Sequence, residues 1–127
     1  MRIDEITASG WVHFEARTIG ECVLTCSGEK HSARWELGER TTGRTRVFGG
    51  YYVRIALDGA PDEFLGFDGY NLRDALIGAV DVARRAGFGL DVAGAHPSFI
   101  ERGLSWNSGW GEVDGNRVHM MDAPFCA

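Results

Sequence analysis

Apolar and polar residues alternate over most of this chain, and the clearest departure to a three- and four-residue spacing falls between residues 71 and 87. There Leu72, Ala75, Leu76, Ala79, Val80, Ala83 and Ala86 lie along one stripe, which predicts an amphipathic helix over about 72–86. Asn71 suits the N-cap, and Asp74 faces the unsatisfied N–H groups of the first turn. Arg84 and Arg85 occupy the last turn, where the dipole favours cations, and Gly87 suits the left-handed position beyond it. The alanine-rich stripe allows close approach to a sheet. A helix of about four turns cannot bury its own apolar face, so it needs a partner layer.

The rest of the pattern predicts strands. Val12, Phe14 and Ala16 alternate with His13, Glu15 and Arg17, so residues 11–17 form a half-buried strand with His13 and Glu15 on its outer side. A turn at Gly20-Glu21 followed by Cys22, Leu24 and Cys26 on one face predicts an N-terminal hairpin. Residues 31–37 alternate again, 38–43 are polar and turn-like, and 44–48 resume a strand that Gly49-Gly50 breaks. Tyr51, Val53, Ile55 and Leu57 mark the strongest strand. Residues 58–62 read as a turn, and 64–67 as a short edge strand. After the helix, Phe88, Leu90 and Val92 predict a strand ended by Gly94. Pro97 to Gly103 reads as one helical turn. Asp114-Gly115 predicts a hairpin between residues 110–113 and 117–121. Runs of strands around one helix give an α+β fold: a mostly antiparallel sheet with one principal helix packed across it, in a single domain over residues 1–127.

Composition narrows the function classes. The net charge of −5 argues against general binding to nucleic acid or an anionic membrane. No apolar run approaches the roughly 18 residues that would span a bilayer. The charged N-terminal stretch lacks an apolar signal core, and three cysteines fit no disulfide framework, so a cytoplasmic chain is expected. Charge is uneven along the chain: residues 30–54 carry six basic and two acidic side chains, whereas residues 55–72 carry Asp58, Asp62, Glu63 and Asp68 with no basic one.

Candidate chemistry is sparse. Cys22 and Cys26 on one strand face would lie ~13 Å apart, too far to share a metal ion, so buried free thiols are expected and no metal or cofactor is assigned. The Ser105 context lacks the last glycine of a nucleophile elbow, and Gly87-x-Gly89 follows a helix where a dinucleotide fingerprint would precede one. His13 and Glu15 point the same way ~6.5 Å apart and could form an acid–base pair, although a solvated sheet face gives the same pattern. Trp106 and Trp110, in a glycine-rich stretch with Asn107 and Ser108, fold back over the core, anchor a partner or border a small-molecule pocket. His119 fits a partner contact or an ordinary strand histidine.

These features suit a protein that works by binding. Asn71-Leu-Arg-Asp-Ala-Leu76, Gly89-Leu-Asp-Val-Ala-Gly94, Gly103-Leu-Ser-Trp-Asn-Ser-Gly109 and Val118-His-Met-Met-Asp122 together resemble, over roughly residues 50–122, the small α+β immunity proteins of bacterial toxin systems. The resemblance implies a non-enzymatic protein that occludes the active site or substrate groove of a cognate toxin. A basic toxin would be steered by an acidic surface. On that view Asp58, Asp62, Glu63 and Asp68 supply charge and Trp106 and Trp110 supply anchors. The competing expectation is a small enzyme or ligand-binding domain with a pocket between helix and sheet.

Overall fold

The computed structural model describes residues 2–7, 10–101 and 106–123. Five strands, β1 (Arg2–Thr7), β2 (Gly10–Cys26), β3 (Glu29–Thr42), β4 (Val47–Leu57) and β5 (Glu63–Asp68), form an antiparallel meander in the order β1-β2-β3-β4-β5. Helix α1 (Leu72–Arg85) lies against β5 and β4. A second, two-stranded sheet, β6 (Trp110–Val113) and β7 (Asn116–His119), closes the chain. The architecture is α+β, as the runs of alternation predict.

The helix follows its sequence signals closely. Asn71 is extended and its Oδ1 accepts from the Asp74 N–H at 2.8 Å. At the far end the Phe88 N–H donates to Ala83 O and the Gly87 N–H to Arg84 O, with Gly87 at φ 93°. That is a full Schellman closure, and it satisfies carbonyls the helix would otherwise leave open. Leu72, Ala75, Leu76, Ala79 and Ala83 are buried against the sheet. The fit depends on Gly66 of β5. A Cβ there would overlap Ala75 O and Ala79 N, so only glycine lets the helix backbone sit this close.

The strands are longer than the punctuation suggests. No turn forms at Gly20-Glu21. β2 is one 17-residue strand, and the expected N-terminal hairpin is instead the β2–β3 pair closed around Ser27-Gly28. Gly20 is there because the Trp35 indole lies over it and donates from Nε1 to Glu21 O at 3.2 Å. Residues 38–42 likewise continue β3, and a Cβ on Gly38 would overlap the Glu15 carbonyl of the neighbouring strand. Gly49-Gly50 does not break β4. Gly50, at φ 127°, carries the strand through a register shift opposite Arg40 and Thr41.

A bulge in β2 has the largest consequence. The register slips between Ala16 and Thr18, leaving Arg17 as the extra residue. The alternation therefore changes face at that point. Downstream, Leu24 joins Ala33, Leu37, Val53 and Ile55 in the main core beneath the helix. Upstream, Val12 and Phe14 lie on the opposite face and pack with Tyr52 as a second, smaller core, the Phe14 and Tyr52 rings meeting edge-on at 4.9 Å.

Two further expectations are corrected after the helix. Residues 88–92 form no strand. Phe88 packs on Phe64 of β5 and His31 of β3, and Gly89 makes a single bridge to Thr25 of β2, so the segment crosses the strands rather than running along one. Leu90 and Val92 are buried as their alternation implies. The helical turn expected from Pro97 is absent over its described part. A 3₁₀ turn, Ala93–Ala95, precedes it, and Ile100 bridges to Glu112; Gly103 lies outside the described residues. The hairpin does form around Asp114 and Gly115, both at positive φ, the geometry a two-residue type I′ turn requires. Met120, Met121, Phe99 and Val113 join the main core, so helix and hairpin share one layer over the same sheet face.

Candidate functional site

Two concavities among the described residues bring polar and apolar side chains together around an ion pair. The first lies between the N-terminus of α1, the described end of the tryptophan loop (residues 106–109) and the helix-side face of the sheet. It is a half-open pocket of about 390 Å³ bordered by Leu37, Tyr51, Leu72, Trp106, and the Arg17–Glu39 ion pair at 2.7 Å. Asn107 positions its loop. The Asn107 Oδ1 accepts from the Leu72 N–H at 2.8 Å, and its own N–H donates to Glu101 Oε2 at 2.9 Å. Burial raises the Glu101 carboxyl above the ordinary range, against the lowering effects of the Asn107 N–H and Arg73. Trp106 is 58% exposed, so it rims this pocket and does not close over the core.

Beside the pocket, Glu15 and Glu39 stand directly opposite each other on β2 and β3. Like charges so placed repel, and each is met by a guanidinium: Arg46 lies 3.9 Å from Glu15, and Arg17 holds Glu39. Two residue pairs further along, on the same face, His13 faces Thr41. His13 does share a face with Glu15, but that face is not the solvated one expected. His13 is 5% exposed, and both its ring nitrogens and the Thr41 hydroxyl make no hydrogen bond among the described residues.

The second place is the sheet face opposite the helix. Here a shallow concavity of about 410 Å³ is bordered by Ile19, Glu21, Arg34, Glu36, Arg54 and Glu63. Arg54 is buried, with Glu36 at 3.7 Å and Glu63 at 3.8 Å, and its guanidinium lies 5.1 Å from the Phe14 ring centre. The Tyr52 hydroxyl donates to Glu36. Around this ionic centre Ile19, Val23, Leu65 and Phe67 stay exposed.

The six residues expected from sequence to form a partner surface do not come together. Asp58, Asp62 and Glu63 cluster at the β4–β5 turn, where Asp58 meets Arg34 at 3.4 Å. Asp68 sits at the other end of β5, ~17 Å away along the strand. Its Oδ2 accepts from the Tyr70 and Asn71 N–H groups, each at 2.8 Å, so it shapes the entry to the helix. Trp106 belongs to the pocket. Trp110 belongs to a third cluster, where Arg117 lies 4.3 Å above its ring and His119 meets it edge-on. His119 also stacks on Trp35 at 5.3 Å. Sequence reasoning did not find Arg54, Glu36 or Tyr52. The signal was available in an arginine within the strongest apolar strand, since such a residue must find partners.

Cys22 and Cys26 are free and half-buried on β2, and burial with Asp58 nearby pushes the Cys22 thiol up to about 11. Cys126 and Ser105 lie outside the described residues. Among the described residues no group of His, Cys, Asp and Glu side chains is arranged to hold a metal ion, and no helix is long and apolar enough to cross a membrane. Comparison with protein-family models, with curated proteins and with solved structures finds no match.

Proposed function

We propose that this chain is a non-enzymatic binding protein that neutralises a cognate bacterial toxin, an immunity protein that occludes the toxin's active site or substrate groove. The observation that carries the reading is the uncovered sheet face. One face of the sheet carries the helix, the hairpin and the half-open pocket beside them, while the other, beyond its small core, presents Ile19, Val23, Leu65 and Phe67 to solvent around a buried Arg54. Exposed apolar side chains rimming an ionic centre suit a protein–protein contact. The three carboxylates at the β4–β5 turn lie beside this face, and a net charge of −5 favours a basic partner. Of the six residues expected at a partner surface, Asp58, Asp62 and Glu63 lie together beside this face. Asp68 lies at the far end of β5, where it also holds the entry to the helix, and Trp106 and Trp110 lie off this face.

The test is co-expression with the product of the gene beside this chain's own, which the reading expects to be a toxin. Growth protection is expected, and it is expected to weaken when Asp58, Asp62 and Glu63 are reversed to lysine, with a loss of salt dependence in the affinity. Protection and salt dependence both unchanged in that triple variant would remove the carboxylates from the interface, and no protection by the parent chain would end the reading. The pocket at Trp106 favours a second reading, a small-molecule binding domain, because an indole and a phenol border it beside a charged pair. A gain of several degrees in melting temperature with a metabolite, lost in Trp106→Ala, would support that reading instead.

A further inference from the structure

β5 is an outer strand of the main sheet, and among the described residues no strand pairs with its far side. Which of its groups face outward follows from one bond. The Leu57 N–H donates to Asp62 O at 3.1 Å, making these two a hydrogen-bonded pair. Bonded and non-bonded pairs alternate along an antiparallel ladder. Counting on through the observed register, Phe64, Gly66 and Asp68 bond to β4, and Glu63, Leu65 and Phe67 turn their N–H and C=O groups outward. These three side chains are also the exposed ones, all on the open face.

An edge with free backbone groups and apolar side chains is a template for another strand. A second copy of this chain is a poor occupant. Two copies paired antiparallel about Leu65 would set Asp62 of each opposite Asp68 of the other, between molecules that each carry −5. An extended segment with basic residues near its ends meets the opposite situation. It would find the exposed Asp62 and Glu63 at one end and Asp68 at the other, while its apolar residues cover Leu65 and Phe67. Two cations lie nearby: Arg54 is buried between Glu36 and Glu63, leaving Glu63 shared and Asp62 open to a new cation, and Arg40 lies over the Phe67 ring at 4.8 Å.

We infer that β5 is the docking edge, at which an extended basic segment of a partner protein adds as a sixth strand. The inference rests on the proposal that the chain binds a protein, and is independent of whether that protein is a toxin. The probe is a synthetic peptide of alternating valine and threonine with Lys-Arg at each end, with a twin ending in Glu-Asp. Amide exchange is followed by NMR on the full chain. The basic peptide is expected to slow exchange at Glu63, Leu65 and Phe67 by about tenfold or more, and the acidic twin to leave it unchanged. Leu65→Pro, which removes an outward N–H, should abolish the effect. Asp62→Lys with Glu63→Lys, which leaves the backbone intact, should weaken it even if the proline variant does not fold. Equal protection by both peptides, protection elsewhere, or no protection would overturn the inference. So would slow exchange at these amides without peptide together with a dimer mass by light scattering. Growth protection from the toxin that survives the double lysine variant would sink the edge and leave the functional reading standing. Peptide docking without growth protection would do the reverse.

Discussion

His119 shows what a single residue gains and loses from its surroundings. Its ring is wedged between Trp35 and Trp110, its Nδ1 accepts from the Met121 N–H at 3.1 Å, and its own N–H donates to Asp122. Burial lowers its pKa below the usual 6.5, more than Asp122 raises it. The folded protein thus binds this proton less readily than the unfolded chain does. The sign follows directly: the contribution of His119 is fully present above the unfolded value and is lost as pH falls below about 6.5. We expect the unfolding free energy of the parent to drop between about pH 7.5 and 5.5, and to drop less in His119→Gln. A drop of the same size in both would assign it to other groups. Glu101 acts in the opposite sense, since its raised pKa favours the folded state on protonation and that gain is lost as pH rises through the raised value. At this scale the sequence was partly legible. Asn71, Asp74, Gly87 and Asp114-Gly115 act as their chemistry implies. The roles of His13 and His119 depend on what lies across the sheet, which spacing does not encode, whereas Asp68 makes a local turn with the Tyr70 and Asn71 N–H groups that its position before the helix could have shown.

Elements were legible where periodicity and punctuation agreed, and misread where a glycine had another use. Gly20, Gly38 and Gly49-Gly50 looked like turns. In the structure Gly20 and Gly38 admit a close neighbour within a continuous strand, and Gly50 carries a register shift. Gly66 makes the same point energetically. Replacing it with alanine would force the helix away from β5, and we expect a destabilisation of about 3 kcal/mol or more, at the upper end for overpacking. The matched control is Gly69→Ala, where an added Cβ meets nothing within 4 Å. Chemical denaturation compares them, and a similar small effect at both sites would show that the helix can move aside freely. The ladder of β2 was misread for a different reason. A bulge adds one residue without changing residue types, so nothing in the alternation marks that the even-numbered residues on either side of Arg17 lie on opposite faces of one strand.

At the scale of the whole molecule the two layers are tied into one unit. The Arg73 guanidinium, on α1, donates to Gly94 O and His96 O, and an added Cβ on Gly94 would strike both Met120 and Leu76. One core cluster contains residues of the sheet, the helix and the terminal hairpin. We therefore expect a single cooperative transition, with tryptophan fluorescence and far-ultraviolet circular dichroism giving the same denaturant midpoint. An earlier fluorescence transition would mean that the hairpin around Trp110 opens alone. The α+β architecture was legible because it follows from the order of patterned segments. The open face and its ionic centre were not, because which side a helix covers is settled by packing. The slipped residue at position 17 bears on how such a chain can change over generations. Residue identity there is constrained by little beyond the ion pair with Glu39, since the Arg17 side chain otherwise reaches solvent. Chain length there is not free: losing that one residue would turn the first half of the strand over, bringing His13 and Glu15 out to the open side and Val12 and Phe14 in to the other.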